Sequence, residues 1–156
     1  MVDRTLTGKA IISAIKASHV EFVIALPDIV TCEMILWPIR QDNELTLVQV
    51  CKEDEGVSIC GALSYTEKRS ILLIQHTGFL DSINAIRVIA VQYQLPVVMF
   101  VGLQGMEPDR KPYESGHYGI RILEPILQGM ELDYRVLVSD KDLEDISSEI
   151  SECYRS

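Results

Sequence analysis

Leu95-Pro96-Val97-Val98-Met99-Phe100-Val101-Gly102 is the stretch whose reading decides the fold. Proline opens the strand-like part, glycine closes it, and everything between is apolar. A strand wetted on one face alternates apolar with polar residues. A strand covered on both faces is apolar throughout, as in parallel sheets buried between helices. The stretch therefore predicts a central parallel strand.

Working outward gives the same architecture. Upstream, residues 20–26 (VEFVIAL), 45–51 (LTLVQVC) and 71–74 read as three further strands. Thr7 is placed to cap a helix through Ile11, Ala14, Ile15 and Ser18. Asp28 is placed to cap one through Ile29, Met34, Ile35 and Leu36 that stops near Pro38. A third helix runs through Val57, Ile59, Cys60 and Leu63. Residues 75–80 read as a loop, with Asp81 or Ser82 capping a helix over Ile83, Ile86, Ile89 and Ala90. Downstream, 103–116 is a long polar loop, 120–127 is helical, 134–138 is a fifth strand, and Ser139 or Asp140 caps a last helix. Strands alternating with helices predict an α/β fold, a mainly parallel sheet with helices on both faces, as a single domain over residues 1–156. In such sheets ligands bind outside the carboxyl ends of the strands. Residues 52–56, 75–81 and 103–117 fall there.

The chain has 156 residues, 47% hydrophobic and 24% charged, enough for a core that needs neither disulfides nor a structural metal. Its net charge of −9 argues against nucleic-acid binding, which needs clustered Lys and Arg. No apolar run is long enough for a bilayer span, and the first residues carry no leader pattern. Cys32, Cys51, Cys60 and Cys153 form no C-x-x-C pair, and His19, His76 and His117 add no zinc spacing. Free thiols of this kind are expected in a reducing, cytoplasmic setting.

Two strand-end segments carry groups suited to chemistry. Glu53, Asp54 and Glu55 stand where the second strand passes into a helix. Acids favour a first helical turn, where the macrodipole stabilises them; the functional alternative is that one carboxyl points into the strand-end crevice. After the third strand, Gln75, His76, Thr77 and Asn84 supply polar groups, and Gly78 permits a tight turn and close ligand approach. The plainer reading is a strand-to-helix loop. No G-x-x-x-x-G-K-[ST], G-x-G-x-x-G or G-x-S-x-G occurs, so nucleotide cradling and serine hydrolysis have no support.

Taken in order and spacing, C-K-E-D-E-G-V-S-I-C-G-A (51–62), I-L-L-I-Q-H-T-G-F-L-D-S-I-N (71–84) and Q-L-P-V-V-M-F-V-G (94–102) resemble a known family. It is the pyrimidine-binding domain of thiamine-diphosphate-dependent decarboxylases. The nearest likeness is to the α subunits of sulfopyruvate decarboxylases and the matching half of phosphonopyruvate decarboxylases, and it covers nearly the whole chain. Where that group has N-S-G-L-G-N, this chain has His76-Thr77-Gly78-Phe79-Leu80-Asp81, a glycine lost and an imidazole gained. The loop through Arg110 and Lys111 matches poorly.

The resemblance implies thiamine diphosphate as cofactor, shared with a second subunit. In the family a desolvated glutamate at the end of the second strand hydrogen-bonds a ring nitrogen of the aminopyrimidine and promotes deprotonation of the reactive carbon. A small residue follows that glutamate three positions on. Glu53 with Gly56 fits first, and Glu55 with Ser58 second. Gln75, His76, Thr77, Gly78 and Asn84 fall where the family meets the cofactor. His76, Arg110, Lys111 and His117 are the candidates for meeting an anionic group on the substrate; exposed loop charges are otherwise simply solvated. The family's diphosphate-binding G-D-G is absent here. That implies a partner chain holding Mg²⁺ and diphosphate, with no metal ligated by this one. The implied activity is decarboxylation of a small 2-oxo acid, sulfopyruvate or another 3-substituted pyruvate. Carboligation or aldehyde transfer with the same cofactor, and a non-catalytic partner-binding module, are the alternatives. The family also implies an oligomer, with Phe79, Leu80 and Met106 either in its interface or in the chain's own core.

Overall fold

A computed structural model describes residues 6–155. Helix α1 (Gly8–Ala17) opens at Thr7, whose Oγ1 accepts from the Ala10 N–H at 3.2 Å, pairing one donor that a first turn leaves open. Strand β1 (Phe22–Ala25) follows, then a helical segment in three parts: α2 (Ile29–Thr31), a π turn (Cys32–Leu36) and α3 (Trp37–Arg40). Next come β2 (Thr46–Gln49) and α4 (Glu53–Tyr65), then β3 (Ser70–Gln75), α5 (His76–Asp81), α6 (Ile83–Ile86) and a second π turn (Arg87–Gln92). Strand β4 (Val98–Gly102) leads through a loop to α7 (Tyr118–Arg121), α8 (Leu123–Gly129) and, last, α9 (Ile146–Cys153).

Every ladder is parallel, in the order β2-β1-β3-β4. Side chains alternate across the strands with period two, so each central strand feeds two cores. Val23, Ile71 and Leu73 meet Ile11, Ile15, Ile35, Ile39 and Ile150 from α1, the 29–40 segment and α9. Ile24, Leu72 and Ile74 meet Val57, Cys60, Phe79, Ile86 and Leu123 on the opposite face. The chain is thus an α/β fold with helices on both faces of a parallel sheet, as the sequence predicts.

Local expectations fare differently. Strand β4 is an edge, not a centre: its residues are half-buried throughout, whereas β3 is buried along nearly its whole length. The expected fifth strand over 134–138 forms no ladder. The Val138 and Ser139 N–H groups donate instead to the Asp142 carboxylate at 2.9 and 2.8 Å, Arg135 pairs with Glu149, and Leu137 packs on the core. Pro38 does not stop the 29–40 segment, because it falls in the first turn of α3, where a missing N–H is tolerated. Residues 76–80 are not a loop: α5 starts directly at His76. Ser82 does not cap α6; its N–H donates to the Gly78 carbonyl at 3.0 Å and its hydroxyl is buried without a partner among the described residues. Phe79 lies in the chain's own core, 2% exposed.

The C-terminal end is tied back to the sheet. β4 pairs with β3 only from Ile71 onward, and Tyr154 serves the backbone ahead of it. The Ser70 N–H donates to Tyr154 Oη at 3.0 Å, and the Tyr154 hydroxyl donates to the Ser70 carbonyl at 2.6 Å. Among the described residues no helix is long and apolar enough to cross a membrane.

Candidate functional site

Parallel strands put all their carboxyl ends on one side, so residues 26–28, 50–53, 76–78 and 103–105 gather there. α4 begins at Glu53, and the three acids fill its first three positions. Their tasks divide. Glu55 turns back, its Oε2 accepting from the Cys51 and Lys52 N–H groups at 3.1 and 3.2 Å, as the third residue of a capping box does. Asp54 accepts from the Glu55 N–H at 3.0 Å and lies 3.9 Å from Lys52 Nζ. Glu53 shares in neither arrangement. It is half-buried, and its side chain is laid against α5 at Gly78, where an added Cβ would overlap Glu53 Cγ, Cδ and Oε1.

Gly78 therefore does not serve the tight turn expected of it. It sits buried inside a helix, and its φ is not among the positive ones, so no turn requires it. Glycine within a helix is about 1 kcal/mol less favourable than alanine. What it provides is the space that Glu53 fills.

His76, the first residue of α5, is 9% exposed. Its ring packs on Gly119 of α7, where a Cβ would lie 3.3 Å from the ring. Nδ1 is buried with no partner among the described residues. Burial holds the imidazole pKa below its ordinary value; the Gly102 carbonyl opposes this and neighbouring His117 reinforces it. His117 is exposed, with its ring over Gly105, a residue at φ +87°.

Between these loops opens a cavity of about 190 Å³, lined by Asp28, Gln75, Gly102, Gln104, Gly105 and Met106, among others. Gln75 Nε2 donates to Gln104 Oε1, and the Thr77 hydroxyl donates to Gln75 Oε1 at 2.7 Å. Asp28 accepts from the Thr31 N–H and hydroxyl at 3.0 and 2.6 Å. Asp28 and Gln104 went unnoticed as site residues. The available signal was position alone, since each follows a strand end within three residues.

Other candidates lie elsewhere. Asn84 is exposed on α6, its Oδ1 accepting from Arg87 Nε and Nη2 at 3.3 and 3.0 Å. Arg110 donates to the Glu114 carbonyl at 3.2 Å and stands 3.5 Å from Glu107. Lys111 Nζ sits 5.7 Å from the Tyr113 ring centre. Glu107, which the sequence did not single out, anchors this loop by accepting from the Ser115 hydroxyl at 2.7 Å and the Gly116 N–H at 2.8 Å. Those bonds, with Arg110 nearby, lower its pKa from 4.5 to about 2. The fold thus unites Glu53 with Gly78, Gln75 with Thr77 and Gln104, and His76 with His117. Glu55, Asn84, Arg110 and Lys111 take other partners.

With the cavity at the carboxyl end of the parallel sheet, and Glu53, His76 and His117 placed around the same strand ends, comparison with known proteins becomes informative. The chain is 28% identical over 98 residues to the sulfopyruvate decarboxylase subunit alpha of Methanococcus maripaludis, over 63% of this chain and 58% of that one. It is 27% identical over 96 residues to the same subunit of Methanocaldococcus jannaschii, over 62% and 56% of the two chains.

The chain resembles sulfopyruvate decarboxylase subunit alpha.

A third such subunit, from Methanothermobacter thermautotrophicus, is 24% identical over 101 residues, 65% of this chain and 61% of its own. This chain therefore spans less than two thirds of the length of the sulfopyruvate decarboxylase alpha subunits it matches. No family model matches it.

Proposed function

We propose that this chain is the α subunit of a two-subunit, thiamine-diphosphate-dependent decarboxylase acting on a small 2-oxo acid, sulfopyruvate or another 3-substituted pyruvate. The observation that carries the proposal is Glu53. In a chain similar to sulfopyruvate decarboxylase alpha subunits, it is the one acid of the α4 start that leaves the cap to its neighbours and lies in a seat made by a glycine.

The residues present fit the pyrimidine half of the cofactor. A half-buried carboxylate stands at the strand ends, beside an amide and hydroxyl chain of Thr77, Gln75 and Gln104. When bound, thiamine diphosphate supplies a carbon nucleophile for the 2-oxo group and takes up the electron pair released as carbon dioxide departs. Glu53 is assigned to hold the proton shared with the pyrimidine ring nitrogen. Gly78 gives its carboxylate room, and Gln75 and Thr77 orient the ring. Buried Phe79 and His76 exclude water behind it. Exposed His117, whose ring lies against Gly105 of the cavity lining, is assigned to meet an anionic substituent of the substrate. The relatives are named as alpha subunits, which supports a partner subunit; in this reading the partner carries Mg²⁺ and the diphosphate site, and the two form a cytoplasmic hetero-oligomer.

The test is carbon dioxide release from a panel of 2-oxo acids by the complex co-expressed with its adjacent gene product. Glu53→Gln keeps the shape of the side chain but not the shared proton, and is expected to lose ~10²- to 10⁴-fold in rate with an unchanged melting temperature. A Glu53→Gln complex turning over at the wild-type rate defeats the assignment.

A further inference from the structure

We infer that Gly78 is a positioning residue, whose missing side chain sets how deeply the Glu53 carboxylate sits in the crevice. That Glu53 is then a proton holder rests on the function proposed above; the seat itself does not.

Three observations converge. The nearest atoms to a Cβ built on Gly78 are Glu53 Oε1, Cγ and Cδ, all closer than any real Cβ approaches another atom. All three belong to this one side chain. Second, Gly78 sits at the third position of α5 without a positive φ, so neither a turn nor a strained backbone calls for glycine. Alanine is the better helix former there, and the residue is buried, so a methyl group would add apolar burial. On local grounds the position favours alanine. Third, the neighbouring acids are occupied at the start of α4, Glu55 with the cap and Asp54 with the Glu55 N–H. Only Glu53 reaches across to α5.

The geometry gives α5 a defined role. Its first residue, His76, packs its ring on Gly119 of α7. Its third residue then presents bare backbone to Glu53. A side chain at residue 78 would displace the carboxylate by about the radius of a methyl group. Alignment with a reacting partner is sensitive to shifts of ~1 Å, which cost up to ~10²-fold in rate.

The experiment is a double-mutant cycle read by thermal melting of the full chain, with Gly78→Ala made in the wild-type and in the Glu53→Ala background. In the wild type, Gly78→Ala is expected to lower the melting temperature by roughly 2 °C or more, or to prevent folding. With Glu53 truncated, the same change is expected to raise it by about 2–4 °C, the ordinary gain of alanine over glycine in a helix. An equal shift in both backgrounds, or failure of both variants to fold, overturns the inference. The assembled enzyme separates this from the functional reading. If the cycle shows coupling and Gly78→Ala lowers kcat with KM little changed, both stand. If the cycle shows coupling while Glu53→Gln remains fully active, the seat stands and the proton-holding role fails. If Glu53→Gln is inactive but the cycle shows no coupling, Glu53 keeps its role and Gly78 loses its own.

Discussion

Glu53 and Glu55 lie two positions apart with one residue between them, and differ in their surroundings. Helical geometry turns successive side chains by about 100°, so two acids separated by two positions face opposite sides of the helix start. Glu55 looks back at the Cys51 and Lys52 amides, whereas Glu53 looks across to α5. Glu55→Ala is therefore expected to cost about 1 kcal/mol of stability, a capping loss, seen as a melting shift of ~2–4 °C, while the folded enzyme keeps its turnover. Equal loss of activity in Glu55→Ala and Glu53→Gln would show that the two acids are not divided in this way. His76 makes a second prediction at this scale. Its folded pKa lies below the ordinary value because burial disfavours the imidazolium. The unfolded chain then takes up a proton near pH ~6.5 that the folded chain resists. Stability should fall as pH drops from above ~6.5 toward the folded pKa, and the slope should flatten below it. Melting temperatures of wild type and His76→Asn between pH 8 and 5 check this. The variant's profile should be flatter, and parallel profiles would contradict the assignment.

At the scale of elements, the loop after β4 is ordered by one carboxylate rather than by a hydrophobic anchor alone. Glu107 accepts from the Ser115 hydroxyl and Gly116 N–H, which closes residues 107–116 into a ring beside His117. With a folded pKa of about 2 against an ordinary 4.5, the anchor is complete above pH 4.5 and is lost as pH falls through about 2. Hydrogen exchange of the Gly116 and His117 amides should accelerate over that window relative to the core strands. Glu107→Gln should give faster exchange of the same amides already at neutral pH. Unchanged protection in the variant would mean that other contacts hold the loop. The element scale also accounts for the edge position of β4. A strand apolar on both faces reads as central, but the segment 134–138 expected as a further strand joins no ladder, and its Val138 N–H donates to Asp142 instead.

For the whole molecule, the surface speaks to assembly. Large apolar side chains stand exposed at Ile29, Tyr65, Tyr93 and Trp37, at 85, 79, 67 and 56%. Phe79, by contrast, is spent in the interior. The chain contains no G-D-G, and a cofactor held through its pyrimidine end alone lacks its diphosphate anchor. Carbon dioxide release by the isolated chain, supplied with thiamine diphosphate, Mg²⁺ and 2-oxo acids, should therefore be absent, and should appear when the partner is added. Turnover by the isolated chain would refute the two-subunit proposal.

The sequence by itself determined the class of the fold. Continuous apolar runs alternating with amphipathic helices admit little besides a parallel sheet between two helical layers, because each run must be covered on both faces. It also named the segments at the strand ends, and placed Glu53 and Glu55 together at one helix start. Only the tertiary structure separated the surroundings of those two acids, because a capping bond and a seat on another helix depend on contacts that spacing along one segment cannot express. The same holds for Gly78, legible as a turn residue and found instead inside a helix facing Glu53. It holds for His76, whose buried ring packs on Gly119, a residue far along the chain. Periodicity records which side of an element is covered; what covers it is fixed only when distant segments pack, and there the candidate site was made.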